Sequence, residues 1–257
     1  STKGIGIYKW SVAPHGTQYG INLWDFGGQE IYHATHQYFL TKKSLYLFLW
    51  SARTDDDFHS FDYWLNVISL LSDNSPTLVV QNKIDVRTKE IDTKLVKSQF
   101  ENVIGFLNTS AETGEGLDAL LKRIIGEVEK LPHFHQTVPL AWVKIRELLE
   151  TSGRAFMKYE EYLRICETCG VEKARAEKLS EYFHVLGVFL HFPDNIILRQ
   201  IIFLKPEWAT GSVYKLFDDK EVISNRGYFT PDTIKRVWAD YPSEQYPALV
   251  ELMKQFE

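Results

Sequence analysis

Between residues 44 and 131, short unbroken apolar runs alternate with amphipathic stretches. This cadence constrains the fold more than any other feature of the chain. Ser44 to Trp50 (SLYLFLW), Thr77 to Gln81 (TLVVQ) and Phe106 to Thr109 (FLNT) read as strands. Phe58 to Leu71, Asp92 to Phe100 and Leu117 to Leu131 read as helices between and after them. Strands without polar alternation are buried on both faces, which a mostly parallel sheet covered by helices achieves. In the last helix, Leu117, Leu120, Leu121, Ile124, Ile125 and Val128 share one face. Upstream, Gly4 to Val12 and Tyr19 to Trp24 flank the turn chemistry Ala13-Pro14-His15-Gly16, which predicts an antiparallel hairpin.

Pro132 to Pro139 breaks the pattern. Three helices are expected after it, at Leu140 to Glu150, Lys158 to Cys169 and Glu172 to Leu186. Two strands follow, Val188 to Phe192 and Ile196 to Leu204, turning at Pro193-Asp194-Asn195. Residues 207–217 and 231–239 read as helical, the latter with Thr230 as N-cap and Pro231 at the first helical position. Two domains are expected, residues 1–132 and 133–257. Three helices with a two-stranded wing suggest a winged-helix arrangement in the second.

Three motifs carry chemistry, and each follows a strand, where open α/β sheets bind ligands. The first is Asp25-Phe26-Gly27-Gly28-Gln29-Glu30. A carboxylate at a strand end can hold Mg²⁺ through water. Two glycines let the backbone approach a phosphate, with the Gly28 N–H aimed at its oxygen. Gln29 can orient an attacking water. The second is Asn82-Lys83-Ile84-Asp85. Asp85 can accept from both N1–H and the N2 amino group of guanine; adenine has no such donor pair and leaves the carboxylate unpaired. Lys83 can lie across the base near the ribose, and Asn82 can bridge to the neighbouring loop. The third is Ser110-Ala111-Glu112-Thr113-Gly114-Glu115-Gly116, where the Ala111 N–H can bind guanine O6. Thr2, ahead of the first strand, is placed where its hydroxyl could close on Mg²⁺ and the terminal phosphate.

These motifs, in this order, resemble the Ras-like small GTPases, a P-loop-NTPase-like α/β fold. More narrowly, residues 25–37, together with Leu204-Lys205-Pro206-Glu207-Trp208 and Gly211-Ser212-Val213-Tyr214, resemble the Roco family, in which a Roc GTPase domain precedes a COR domain. The resemblance implies a regulatory GTPase acting on the γ-phosphate, with GTP or GDP and Mg²⁺ bound. Gln29 and Gly28 would be catalytic, Thr2 and Asp25 would serve the metal, and Asn82, Lys83, Asp85, Ser110 and Ala111 would hold the base. It also implies a cytoplasmic protein, homodimerisation through COR, intramolecular Roc–COR contact, and leucine-rich-repeat or effector domains elsewhere in the parent chain. The family's GxxxxGK[ST] phosphate loop is absent. It belongs about 40 residues before Thr2, so the expectation is that these 257 residues are a fragment.

Composition narrows the alternatives. Net charge is −5 and no basic excess marks either half, which argues against nucleic-acid binding. In the winged-helix segment, Glu172, Glu177 and Glu181 balance Lys173, Arg175 and Lys178 on the candidate recognition helix. The longest apolar runs are far short of the ~20 residues that cross a bilayer. The two cysteines, Cys166 and Cys169, lack further metal ligands at suitable spacing and fit thiols in a reducing compartment. A nucleotide-inactive scaffold or dimerisation module stays open. So do core or docking roles for Trp208, Tyr214, Phe217 and Trp238, and an ion pair between Arg53 and Asp55, Asp56 or Asp57.

Overall fold

The computed structural model describes residues 5–13, 18–26, 44–53, 61–132, 134 and 136–255. The chain forms two compact units, residues 39–137 and residues 1–38 with 138–257.

In the unit of residues 39–137, β3 (Tyr46–Ser51), β4 (Thr77–Asn82) and β5 (Val103–Asn108) form a parallel sheet in that order. The central strand has Leu78, Val79 and Val80 buried, as its unbroken apolar run requires. Helix α1 (Phe61–Leu71) buries Phe61, Leu65 and Ile68 at helical spacing. The Phe61 ring meets Phe48 and Trp50 edge-on, at centroid distances of 5.3 and 5.6 Å. Asp92 caps α2 (Thr93–Gln99), accepting from the Lys94 and Leu95 N–H groups at 3.1 and 3.0 Å. Helix α3 spans Leu117–Val128. β5 begins three residues earlier than its sequence pattern suggests. Gly105 hides the strand signal there, yet its bare backbone lies against Leu78: a Cβ would come within 3.2 Å of that side chain.

In the other unit, β1 (Ile5–Val12) and β2 (Tyr19–Phe26) pair antiparallel from Ile5↔Phe26 to Val12↔Tyr19. After residue 138 come α4 (Leu140–Thr151), β6 (Phe156–Lys158), α5 (Tyr159–Thr168), α6 (Lys173–Val185) and β7 (Ile201–Phe203). This helix–strand–helix–helix–strand order is the winged-helix arrangement. Its core holds Ile145, Leu149, Met157, Tyr162, Leu179, Phe183 and Phe189. The Tyr162 hydroxyl donates to the Ala176 carbonyl at 2.8 Å, satisfying its one polar atom.

The wing is built differently from the sequence expectation. β7 pairs with β6 rather than with residues 188–192, of which only Leu190 bridges to Phe203. Asn195 causes the change. Its Oδ1 accepts from the Ile197 and Leu198 N–H groups at 3.0 Å each, winding residues 198–200 into a 3₁₀ turn where a strand was expected. β6, only three residues long, is too short to show a period in the sequence.

The remaining helices are α7 (Pro206–Phe217), α8 (Lys220–Ser224), α9 (Pro231–Val237) and α10 (Tyr246–Gln255). Thr230 and Pro231 start α9 as expected, with a reciprocal capping box to Thr233. Trp238 is fully buried and its Nε1–H donates to the Ser212 carbonyl at 2.8 Å. Tyr214 is buried too, so both are core residues. Trp208 is half-buried and stacks on Phe156 at 5.5 Å. Arg236 forks onto Asp219 at 2.8 and 2.9 Å, and this pairing holds the Asp219 carboxyl down at about 2. Of the described residues, no helix is long and apolar enough to cross a membrane.

Candidate functional site

The C-terminal ends of β4 and β5 are level, with Gln81 opposite Asn108. The loop after each strand leaves the same edge of the sheet. Thr109 N–H donates to the Gln81 carbonyl at 2.7 Å, and Ile84 N–H to the Thr109 carbonyl at 3.3 Å. The two loops are thus stitched by backbone before any side chain contributes. Lys83 takes a left-handed conformation (φ +62°), which breaks the strand and lays its N–H on Asn82 Oδ1 at 2.8 Å.

Asn82 Oδ1 is the junction of the two loops. It also accepts from the Ala111 N–H at 3.1 Å and from Thr109 Oγ1 at 3.5 Å. With its oxygen committed inward, the amide presents its NH₂ as a donor on the other side. Ser110 Oγ donates to Asp85 Oδ1 and accepts from the Thr113 N–H at 3.1 Å. One carboxylate oxygen of the exposed Asp85 is therefore anchored, and Oδ2 stays open as an acceptor. The third loop closes on itself, with Ser110 N–H to Glu115 carbonyl and Gly114 N–H to Ser110 carbonyl, both at 2.9 Å. Gly116 begins α3 at φ +74°, and a Cβ there would lie 2.1 Å from the Asn108 carbonyl oxygen, so only glycine fits.

The structure therefore brings together Asn82, Lys83, Asp85, Ser110 and Ala111. A carboxylate acceptor beside an amide donor suits the guanine edge, whose N1–H and N2 amino group donate and whose N7 and O6 accept. One role is altered. The Ala111 N–H, expected to bind O6, is held here by Asn82, so a base would share or displace that hydrogen bond. Thr109, Thr113 and Gly116 belong to this arrangement although sequence reasoning gave them no role. Their only signal is their position around Ser110-Ala111.

Asp25 lies in β2, opposite Gly6 and in the other compact unit. Thr2, Gly28 and Gln29 lie outside the described residues, as do Asp55–Asp57. Arg53 is described and exposed at the end of β3. Among the described residues, no group of three His, Cys, Asp or Glu side chains could hold a metal ion. Asp25 would serve Mg²⁺ as one carboxylate beside phosphate oxygens and water, the manner in which this reluctantly dehydrated ion is commonly held. Both cysteines are free thiols; burial pushes the Cys166 thiol up to about 11, which makes it unreactive.

The fold is that of a Ras-like P-loop GTPase domain joined to a helical, winged-helix-bearing segment, and comparison with known proteins agrees. Residues 1–85 match the family described as "Ras of Complex, Roc, domain of DAPkinase", and residues 139–257 match "C-terminal of Roc, COR-A domain". A solved structure of Methanosarcina barkeri Roco2 RocCORdC bound to GDP superimposes with a TM-score of 0.87 at 32% identity, covering 99% of this chain and 80% of that one. The chain belongs to the Roco family. Among curated relatives, a Roc-COR-CHAT protease of Runella zeae is 27% identical over 98% of this chain. The probable serine/threonine-protein kinase pats1 of Dictyostelium discoideum is 24% identical over 92% of it. The chain spans only 29% and 8% of those two relatives.

Proposed function

We propose that this chain is part of a guanine-nucleotide switch that hydrolyses GTP, with residues 1–132 forming the Roc domain and residues 133–257 the N-terminal part of COR. The observation that carries the reading is the stitched pair of loops at the C-terminal edge of the sheet. Asn82 and Ser110 fix each other's loops and leave the Asp85 carboxylate and the Asn82 NH₂ facing outward. Asp85 Oδ2 accepts from the guanine N1–H and N2 amino group, and Lys83 lies along the base and ribose. The GDP in the Methanosarcina barkeri structure supports guanine as the base.

Hydrolysis is in-line attack of water on the γ-phosphate. Gln29 orients that water, the Gly28 N–H binds a phosphate oxygen, and Thr2 responds to the terminal phosphate. Asp25 and Thr2 would hold Mg²⁺, which would supply charge neutralisation at the phosphates. Nucleotide state then biases contacts between residues 26–40 and the COR segment, and COR supports homodimerisation. The multidomain relatives support further domains in the full-length protein. The test is titration of the full-length protein with labelled GDP and GTP, followed by phosphate release. Micromolar or tighter binding with slow turnover, lost in Gln29→Ala, is expected. No binding at micromolar concentrations would leave a nucleotide-inactive scaffold.

A further inference from the structure

Strand β2 carries Asp25 on one face and is gripped on the other. Side chains alternate along a strand, so Asn22 and Trp24 share a face and Asp25 points the opposite way. The gripped face meets the corner that ends α6. Asn22 Nδ2 donates to the Leu186 carbonyl at 3.0 Å. The Trp24 indole lies directly over Gly187, where a Cβ would come within 2.7 Å of both Cζ2 and Nε1. On the partner strand, Lys9 pairs with Glu150 of α4 at 2.8 Å, and Glu150 is also held by Arg146 at 2.8 Å.

Gly187 meets two separate demands. It sits just past α6 at φ +66°, and its N–H donates to the His184 carbonyl at 3.0 Å while Val188 N–H reaches the Phe183 carbonyl at 2.9 Å. That is a helix stop which favours glycine. An asparagine could meet this backbone demand. The indole adds the second demand, because it leaves no room for any Cβ.

We infer that the Trp24–Gly187 contact is a joint through which the winged-helix segment sets the position of Asp25, making Trp24 and Gly187 positioning residues for the metal-bound nucleotide. The inference rests on the switch reading above. Asp25 directly follows Trp24 in a paired strand, so crowding the indole presses on the stretch of backbone that carries the carboxylate. Because each charge-assisted contact depends on ångström-level placement, the metal-dependent part of nucleotide retention responds first.

The test uses the full-length protein loaded with fluorescent GDP, with dissociation followed in excess Mg²⁺ and in EDTA. Gly187→Ala crowds the indole and Trp24→Phe opens the joint. Each is expected to speed release in Mg²⁺ by roughly fivefold or more while leaving the EDTA rate within twofold. The double variant, in which the smaller ring makes room for the methyl, should lie closer to wild type than the two effects combined. Thermal melts establish that each variant is folded; if Gly187→Ala does not fold, Trp24→Phe alone decides. Unchanged release in Mg²⁺, or equal acceleration in Mg²⁺ and EDTA, would overturn the joint. Failure of the wild-type protein to bind GDP would instead overturn the switch reading.

Discussion

Acid should loosen the winged-helix segment through His184. Its Nδ1 accepts a hydrogen bond from the His191 N–H at 3.2 Å, and its ring meets Phe192 edge-on at 5.9 Å. A proton on Nδ1 would set donor against donor. Burial, with a smaller contribution from neighbouring His191, pushes the imidazole down to about 4. His191 is lowered in the same direction by burial, its Nε2–H donating to the Arg199 carbonyl at 2.9 Å and its Nδ1 accepting from Ser180 Oγ at 2.7 Å. The unfolded chain keeps the ordinary value of about 6.5. Unfolded protein therefore binds more protons between pH 6.5 and 4, so stability falls as pH drops through that window and levels below it. For His184 alone, the loss between pH 7.5 and 4.5 is roughly 2.5 kcal/mol, or a midpoint shift on the order of 5–10 °C. Denaturant melts of residues 138–257 in the full-length protein, followed by near-UV signal across pH, read this directly. His184→Asn keeps an acceptor near Nδ1 but cannot titrate, and should flatten the slope between pH 4 and 6.5. The same slope in wild type and variant would refute the reasoning.

Other outcomes follow from the geometry. Gly116→Ala must accept φ +74° and a Cβ that would start 2.1 Å from a carbonyl oxygen; a loss of roughly 2–4 kcal/mol, visible in thermal melts, is expected. Ser110→Ala removes the donor that anchors Asp85 Oδ1. GDP affinity should fall about tenfold by titration, in line with one lost charged hydrogen bond, with little change in melting. Tyr162→Phe deletes the buried hydrogen bond to Ala176. It should lower stability by about 1–2 kcal/mol in denaturant melts and leave GDP affinity unchanged.

Much of this was readable from the sequence, and the misses have physical causes. The parallel sheet was legible because TLVVQ is apolar without alternation, which admits burial on both faces only. The α9 start was legible because Thr-Pro sets both a side-chain acceptor and a fixed φ. The motif residues Asn82, Asp85 and Ser110 were placed together because each follows a strand of that one sheet. The wing failed because a single Asn195 side chain outcompeted strand pairing over residues 196–200. The helix α10 was not anticipated, although Ala248, Leu249, Leu252 and Met253 are all buried at helical spacing. Pro247 lies in its first turn, where proline is tolerated. The Trp24–Gly187 contact could not be read at all, since its partners lie 163 positions apart in the sequence and glycine carries no pattern.

Base discrimination by Asp85 tests the central claim most directly. Replacing the carboxylate with an amide puts a donor where guanine presents its N2 amino group and xanthine presents a carbonyl oxygen. Competition of GDP and XDP against a fluorescent nucleotide on the wild type and Asp85→Asn measures this in one assay. The account predicts that the wild type prefers GDP by about 100-fold or more and that Asp85→Asn reverses the order. Equal binding of GDP and XDP by the wild type, or an Asp85→Asn variant that still favours GDP, would contradict it.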